Sequence, residues 1–273
     1  MVTKTGVDTP GRAPIATASL RKDNPKDNWK KSPILTFIGL SAFVLYGVIR
    51  TATQSAYFIK GAHYTYLSPF ASPCVSKTCV AGSSDYGHWF GAFPAMVPLA
   101  IVTLTFLLCF RLTCYYYRKA YYRAFWQSPV ACAVPEPRGK YTGETRFPLI
   151  LQNAHRYFWF VAVVISVINT IDAIKSFHGT AGFGLGLGNI IICANVVLLW
   201  SYTMGCHSCR HITAGRINHF SKHPVRYWLY ERASWLNSRH MQLAWTTLGT
   251  LVLTDAYIAL VSSGTITDLR FIG

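Results

Sequence analysis

Five long stretches of predominantly apolar residues divide this chain, separated by polar segments that are alternately rich and poor in basic residues. A membrane-crossing helix needs about 20 such residues. The pattern predicts spans at about 33–59, 90–114, 151–177, 186–209 and 240–262. In lipid, every backbone N–H and C=O must be paired inside the protein, so uninterrupted apolar stretches of this length read as helices. The expected fold is an all-α integral membrane protein, a five-transmembrane-helix bundle over 33–262. Residues 1–32 are polar and basic and lack the apolar core of a signal peptide, so they are read as a cytoplasmic N-terminal arm that meets a partner or the lipid surface. Residues 263–273 form an external tail.

Composition agrees with a membrane setting. Of 273 residues, 51% are hydrophobic and 13% charged, whereas soluble domains carry about 25% charged residues. The net charge of +16 would also suit nucleic-acid binding, but the distribution of the charge argues against it. Seven Lys and Arg lie in the arm (Lys4, Arg12, Arg21, Lys22, Lys26, Lys30, Lys31), seven in 111–147 (Arg111, Arg118, Lys119, Arg123, Arg138, Lys140, Arg146) and six in 210–239, against Lys60, Lys77, Lys175 and Arg270 on the opposite side. Basic residues concentrate on the cytoplasmic side of membrane proteins, so the N terminus is expected in the cytoplasm and the C terminus outside. No nucleic acid is needed to explain the charge.

Two further motifs are secondary. Cys74 and Cys79, in the external loop, suit a disulfide of an oxidising compartment, with two free thiols as the alternative. The run from Gly182 to Gly188 superficially matches a dinucleotide fingerprint, but no strand precedes it as that motif requires. It is read instead as close helix packing through Gly184 and Gly188.

The topology sorts the polar residues by depth. Cys206 and Cys209 close the fourth span on the basic side, Cys114 closes the second, His155 opens the third and His240 opens the fifth. Ionisable groups at this depth are costly and usually functional. Along a continued helix each residue turns about 100°, which places Cys209 roughly 300°, His207 roughly 100° and His211 roughly 140° from Cys206. The two thiols then share one face and the two histidines a nearly opposite one. Either the helix breaks after Gly205, or histidine ligands come from other helices, with His155 and His240 the natural candidates. Two thiolates and two imidazoles suit a Rieske-type 2Fe–2S cluster. They also suit zinc, which does no redox work. A third reading holds haem b between His155 and His240, with the thiols as bystanders. Asp172 and Asp255, near the far ends of their spans, are expected to pair with Lys175 or solvent, or to belong to a proton path. The aromatic and basic run from Tyr115 to Trp126 reads mainly as an interfacial belt, and such surroundings also suit a quinone head group.

The segments Cys114-Tyr-Tyr-Tyr-Arg-Lys-Ala-Tyr-Tyr-Arg, Gly143-Glu-Thr-Arg-Phe-Pro-Leu, Asn153-Ala-His-Arg-Tyr-Phe, Gly205-Cys-His-Ser-Cys-Arg-His and Asn237-Ser-Arg-His together resemble the membrane anchor of actinobacterial succinate dehydrogenases, of the mycobacterial type with one five-helix anchor subunit. The resemblance covers about residues 33–262. It implies a multi-pass subunit of the bacterial plasma membrane in respiratory complex II, with no succinate site or catalytic residue of its own. A flavoprotein subunit carrying FAD and an iron–sulfur subunit would dock on the cytoplasmic face. Electrons would be relayed through a Rieske-type 2Fe–2S cluster in the anchor to menaquinone. On matching positions, Cys206, Cys209, His155 and His240 are the first-choice ligands, with His207, His211 and Cys114 behind them. Arg156, Tyr157, Trp235 and Arg239 adjoin the histidines and are assigned to the quinone. The competing readings are a haem-b anchor of a related complex and a non-redox scaffold or transporter using Asp172 and Asp255 as ion sites.

Overall fold

The computed structural model describes residues 28–53, 55–92, 101–128, 145–147 and 149–273. Most of the predicted arm, the start of the second predicted span and much of the basic loop before 145 lie outside the described residues. The chain is mostly helical, and among the described residues four helices are long and apolar enough to cross a membrane: Lys31–Thr53, Leu149–Lys175, Leu187–Met204 and His240–Ser262. In chain order the helices are α1 (Lys31–Thr53), α2 (Ile101–Thr113), α3 (Tyr115–Tyr121), α4 (His155–Lys175), α5 (Leu187–Met204), α6 (His207–Ala214), α7 (Pro224–Ser238) and α8 (His240–Ser262). Of the five expected spans, the second is represented among the described residues by the 13 residues of α2.

Two corrections concern span ends. The first span stops at Thr53, because the chain then turns into β1 (Phe58–Lys60), which pairs antiparallel with β2 (Thr65–Leu67). The fourth stops at Met204, because Cys206 takes extended backbone angles (φ −68, ψ 146) and starts α6 in a new direction. The connections also hold β3 (Cys74–Ser76) beside β4 (Asp85–Phe90), and β5 (Leu185–Gly186) beside β6 (Arg270–Ile272). The helical class therefore holds for the spans, while the loops satisfy their backbone groups by short ladders.

The chain divides into two compact units, one of Met1–Gly39 with Lys119–Tyr141 and the other of Leu40–Arg118 with Thr142–Gly273. In the first, the Phe37 ring lies 4.7 Å from that of Phe125 on a π-helical turn, Tyr122–Trp126. In the second, α5 packs along α8 and α4, and α4 packs on α2. One core cluster joins Phe110, Trp159, Tyr202, Ala244 and Leu248 with the three thiols Cys114, Cys206 and Cys209. The C-terminal end of α2 and α5 and the N-terminal end of α4 and α8 thus meet at one level.

The opposite end of this unit is held by polar contacts. Cys74 and Cys79 are joined in a disulfide with Cα atoms 5.8 Å apart. Closing so short a loop limits the unfolded chain by about 2 kcal/mol. Replacing both cysteines by serine is therefore expected to lower the thermal stability of the purified protein by that order, read as a fall in its unfolding temperature under non-reducing conditions. The tail is docked: Arg270 pairs with Asp268 at 3.0 Å, and Asp268 also accepts from Tyr66, Tyr257 and the Gly188 backbone. Burial pushes the Asp268 carboxyl upward, but the four donors outweigh it and hold it below the ordinary carboxylate range.

The glycine run does bring surfaces close, yet not helix to helix. A Cβ on Gly188 would meet the Tyr66 ring, and one on Gly184, which precedes α5, would meet Arg270 and His63. These glycines make room for the connections β2 and β6 at the end of α5, a correction to the helix-packing expectation.

Asp172 and Asp255 have different fates. Asp172 accepts from Ser84 Oγ at 2.6 Å and lies 3.7 Å from Lys175 Nζ, the pairing expected from sequence. Asp255 is fully buried and is clamped by Arg50, with Nε 2.5 Å from Oδ2 and Nη2 3.1 Å from Oδ1, and by Tyr46 and Ser68 hydroxyls. Its neutralising partner comes from inside the first span.

Candidate functional site

Where α5 ends, Gly205 carries no side chain because a Cβ there would press on Ser201 O at 2.9 Å and on Leu236 of α7 at 3.2 Å. Asn237 Nδ2 then caps the Gly205 carbonyl at 2.8 Å, and Asn237 Oδ1 accepts from Arg210 Nη1 at 3.0 Å. This close fit ends α5, turns the chain at Cys206 and brings the start of α8 to the same level. The sulfur of Cys206 faces His155 rather than continuing the α5 spiral.

The result is two cysteine–histidine pairs. His155 Nε2 lies 2.8 Å from Cys206 Sγ, and His240 Nε2 lies 3.3 Å from Cys114 Sγ. Both sulfurs and His240 are buried. The four residues line one cavity of about 790 Å³ together with Thr113, Gln152, Arg156, Tyr157, His207 and His211.

Neighbouring groups fix both imidazoles. The Thr113 hydroxyl has one proton, which it donates to the Cys109 carbonyl at 2.7 Å, so at 2.9 Å it accepts from His155 Nδ1–H. His155 therefore presents its Nε2 lone pair to Cys206. A hydrogen bond on the far nitrogen is the usual way a protein sets the tautomer and orientation of a metal-binding histidine. The His155 ring stacks on Phe110 (5.0 Å, 2°) and the His240 ring on Tyr202 (4.7 Å, 9°), while Phe110 and Tyr202 meet edge to face at 5.7 Å. Four rings in sequence hold the two histidines apart at a set spacing. His240 Nδ1 is buried and has no hydrogen-bond partner among the described residues.

Burial pushes the Cys206 thiol up to about 12; Cys114 adds to the rise and hydrogen bonds from Ser208 oppose it. Burial likewise raises Cys209. One charge does stand close. Arg111 is buried beneath the site, over the Tyr202 ring at 4.9 Å, and donates to Tyr117 OH and Thr247 Oγ1. Among the described residues no carboxylate lies within ion-pair reach of it. A buried cation of this kind needs a compensating anion, and thiolates in the cavity would supply it.

The sequence candidates separate as follows. Cys206, His155 and His240 come together, and the fourth member of the group is Cys114. Cys209 points away, its sulfur 3.9 Å from Met204 Sδ, and does not line the cavity. His207 lines the rim and is exposed; His211 Nδ1 is 2.8 Å from Arg156 Nη2. Arg156 and Tyr157 line the cavity, while Trp235 and Arg239 stack on one another outside it, the guanidinium 4.2 Å from the ring centroid. Thr113, Phe110, Arg111 and Tyr202 were missed. The only signal for them in sequence is helical spacing from Cys114 and Cys206, with Tyr202 one turn before Cys206.

Among the described residues, no three His, Cys, Asp or Glu side chains converge closely enough to hold one metal ion. In kind, two thiols and two imidazoles are the donor set of a Rieske-type two-iron cluster, which is larger than a single ion. The buried, unpartnered His240 Nδ1 leaves that ring without a competing anchor. Haem b fits less well, since each Nε2 that would bind its iron already faces a thiol.

These helices and this site define a helical membrane protein with a cluster of thiols and imidazoles at one end of its bundle. The family model described as actinobacterial succinate dehydrogenase subunit SdhC matches residues 31–264. The chain belongs to that family and is a membrane subunit of a succinate dehydrogenase. It is also similar to a chain of the Mycobacterium smegmatis Sdh1 complex in the apo form, with 62% sequence identity and a TM-score of 0.86 over 98% of this chain and 100% of that one. None of the curated proteins compared with it matches.

Proposed function

We propose that this subunit anchors a succinate dehydrogenase in the bacterial plasma membrane as a five-helix bundle, N terminus cytoplasmic, and passes electrons to menaquinone through a Rieske-type 2Fe–2S cluster held by Cys114, Cys206, His155 and His240. The observation that carries this reading is the pair of Cys–His contacts on one cavity, contributed by four different elements. Likeness to a chain of the Sdh1 complex supports docking of the flavoprotein and iron–sulfur subunits, and the charge distribution supports the basic face as the docking side.

A bound cluster of this type supplies one-electron redox chemistry at a higher potential than an all-cysteine cluster. The chain's own residues do the rest. Thr113 holds His155 in the tautomer with a free Nε2, Phe110 and Tyr202 hold the two rings in place, and Arg111 sets a positive charge against the Tyr202 ring beneath the site. Trp159 closes the α4–α5 contact by donating to Thr203 O at 2.9 Å, which helps exclude water from the buried side.

Purified complex is expected to contain two more irons and two more acid-labile sulfides than the soluble subunits account for. It is also expected to give a paramagnetic signal of low average g and no split α band in the visible spectrum. Absence of the additional iron would overturn the cluster reading, and a split α band would favour haem b.

A further inference from the structure

The assignment of Arg156, Tyr157, Trp235 and Arg239 to the quinone rests on their adjacency to the histidines, and the structure offers a different place. Between α1, α2, α4 and α5 lies a cavity of about 260 Å³ walled almost wholly by apolar side chains. Its outer rim includes Val44, Val48 and Leu108, which are 54%, 58% and 45% exposed on surfaces that face lipid in a membrane. At Gly47 a Cβ would meet nothing within 4 Å, so the missing side chain leaves open space in the wall.

The inner end is polar and lies against the site. The Tyr202 side chain is 1% exposed, lines this cavity and has a hydroxyl with no hydrogen-bond partner among the described residues. Arg111 lines the same end. A buried hydroxyl left unpaired is costly, so its retention here points to a partner that arrives from outside the chain. Both groups donate. The ligand they fit has an acceptor oxygen on an apolar frame and enters from lipid. The cavity is slightly smaller than the roughly 300–1,000 Å³ that encloses a drug-sized ligand, which suits a ring whose hydrocarbon tail stays in the bilayer. The opposite face of the Tyr202 ring is stacked on His240, so a carbonyl bonded to this hydroxyl sits one aromatic ring from the cysteine–histidine group.

We infer that this cavity binds the ring of an isoprenoid quinone, entering between α1 and α2, with Tyr202 and Arg111 donating to one of its carbonyl oxygens. The inference rests on the proposed quinone-reducing role and locates the substrate within it.

Two substitutions in the assembled complex test it. Gly47→Leu puts a side chain into the open space at a position where its Cβ meets nothing within 4 Å, and Tyr202→Phe keeps the stacked ring while removing the hydroxyl. Each is expected to raise the KM for a menaquinone analogue by about tenfold or more, and Gly47→Leu, which lies away from the cysteine–histidine group, leaves succinate–dye activity and the paramagnetic signal of the membrane cluster unchanged. A photoreactive quinone should label α1 and α2 near Val44–Val48 and Leu104–Leu108, and Gly47→Leu should suppress that label. Unchanged KM in both variants, or labelling only around Arg156, Tyr157, Trp235 and Arg239, overturns the cavity while leaving the quinone-reducing role intact. A complex that reduces no quinone and shows no membrane cluster defeats the role itself, a distinct result.

Discussion

Replacing His155 and His240 together by alanine will bring quinone reduction by the assembled complex to background, a loss of more than about 100-fold, while succinate–dye activity persists. Changes in the shell around metal ligands usually cost 10–100-fold, and removal of two ligands should exceed that. The dye takes electrons from the soluble subunits, so it reports whether the complex still assembles. The two positions are separate in sequence and lie on different helices, but each ring contacts a thiol of the same cavity. A milder substitution checks the argument: Thr113→Val removes the acceptor for His155 Nδ1–H without touching a ligand, and a loss within the 10–100-fold range is expected. Cys209→Ala, by contrast, should keep the cluster signal, because that sulfur lies off the cavity. If the double histidine variant still reduces quinone at the parental rate, the ligand set is wrong. If Cys209→Ala abolishes the signal and Cys114→Ala does not, the thiolate pair is Cys206 and Cys209.

Asp255→Ala is expected to destabilise the subunit by about 3–5 kcal/mol, the cost of leaving a buried charge without its partner. Asp255 is fully buried and Arg50 is 9% exposed, so solvent does little to screen the guanidinium once the carboxylate is gone. Tyr46 and Ser68 also lose the acceptor of their hydroxyl protons. The paired change Arg50→Met with Asp255→Leu should recover most of the loss, because well-packed apolar groups often replace a buried ion pair at little cost. Unfolding of the purified complex in detergent, followed by calorimetry, gives both values. A single variant as stable as the parent would show that Arg50 finds another anion or water. The same pairing weakens the transporter reading, since Asp255 is not free to take an ion.

How far the site was legible depends on which contacts are local. The third, fourth and fifth spans were readable to within a few residues because burial in lipid is written as a continuous apolar stretch. The level at which Cys114, His155, Cys206 and His240 meet followed from counting residues along those spans. That Cys114 lines the cavity and Cys209 does not failed to follow, because it depends on a helix end. The rotation argument assumes about 100° per residue, and that rule lapses at Gly205, where the approach of Leu236 and the Asn237 cap end α5. Arg50 was hidden for a related reason. It lies inside a span, and its partner is 205 residues away, so no local pattern links them.

The sequence by itself determined that the chain is helical and membrane-bound, where its charges concentrate, and that thiols and imidazoles gather at one level. These properties follow from transfer to lipid and from helical rise, both of which act residue by residue. Only the tertiary structure decided which sulfur faces which imidazole, that one hydroxyl proton on Thr113 selects the His155 tautomer, and that Tyr202 connects the histidine group to an apolar cavity. Those outcomes depend on side chains from separate helices meeting within about 3–5 Å. Helix packing, not apolar periodicity, sets distances of that size.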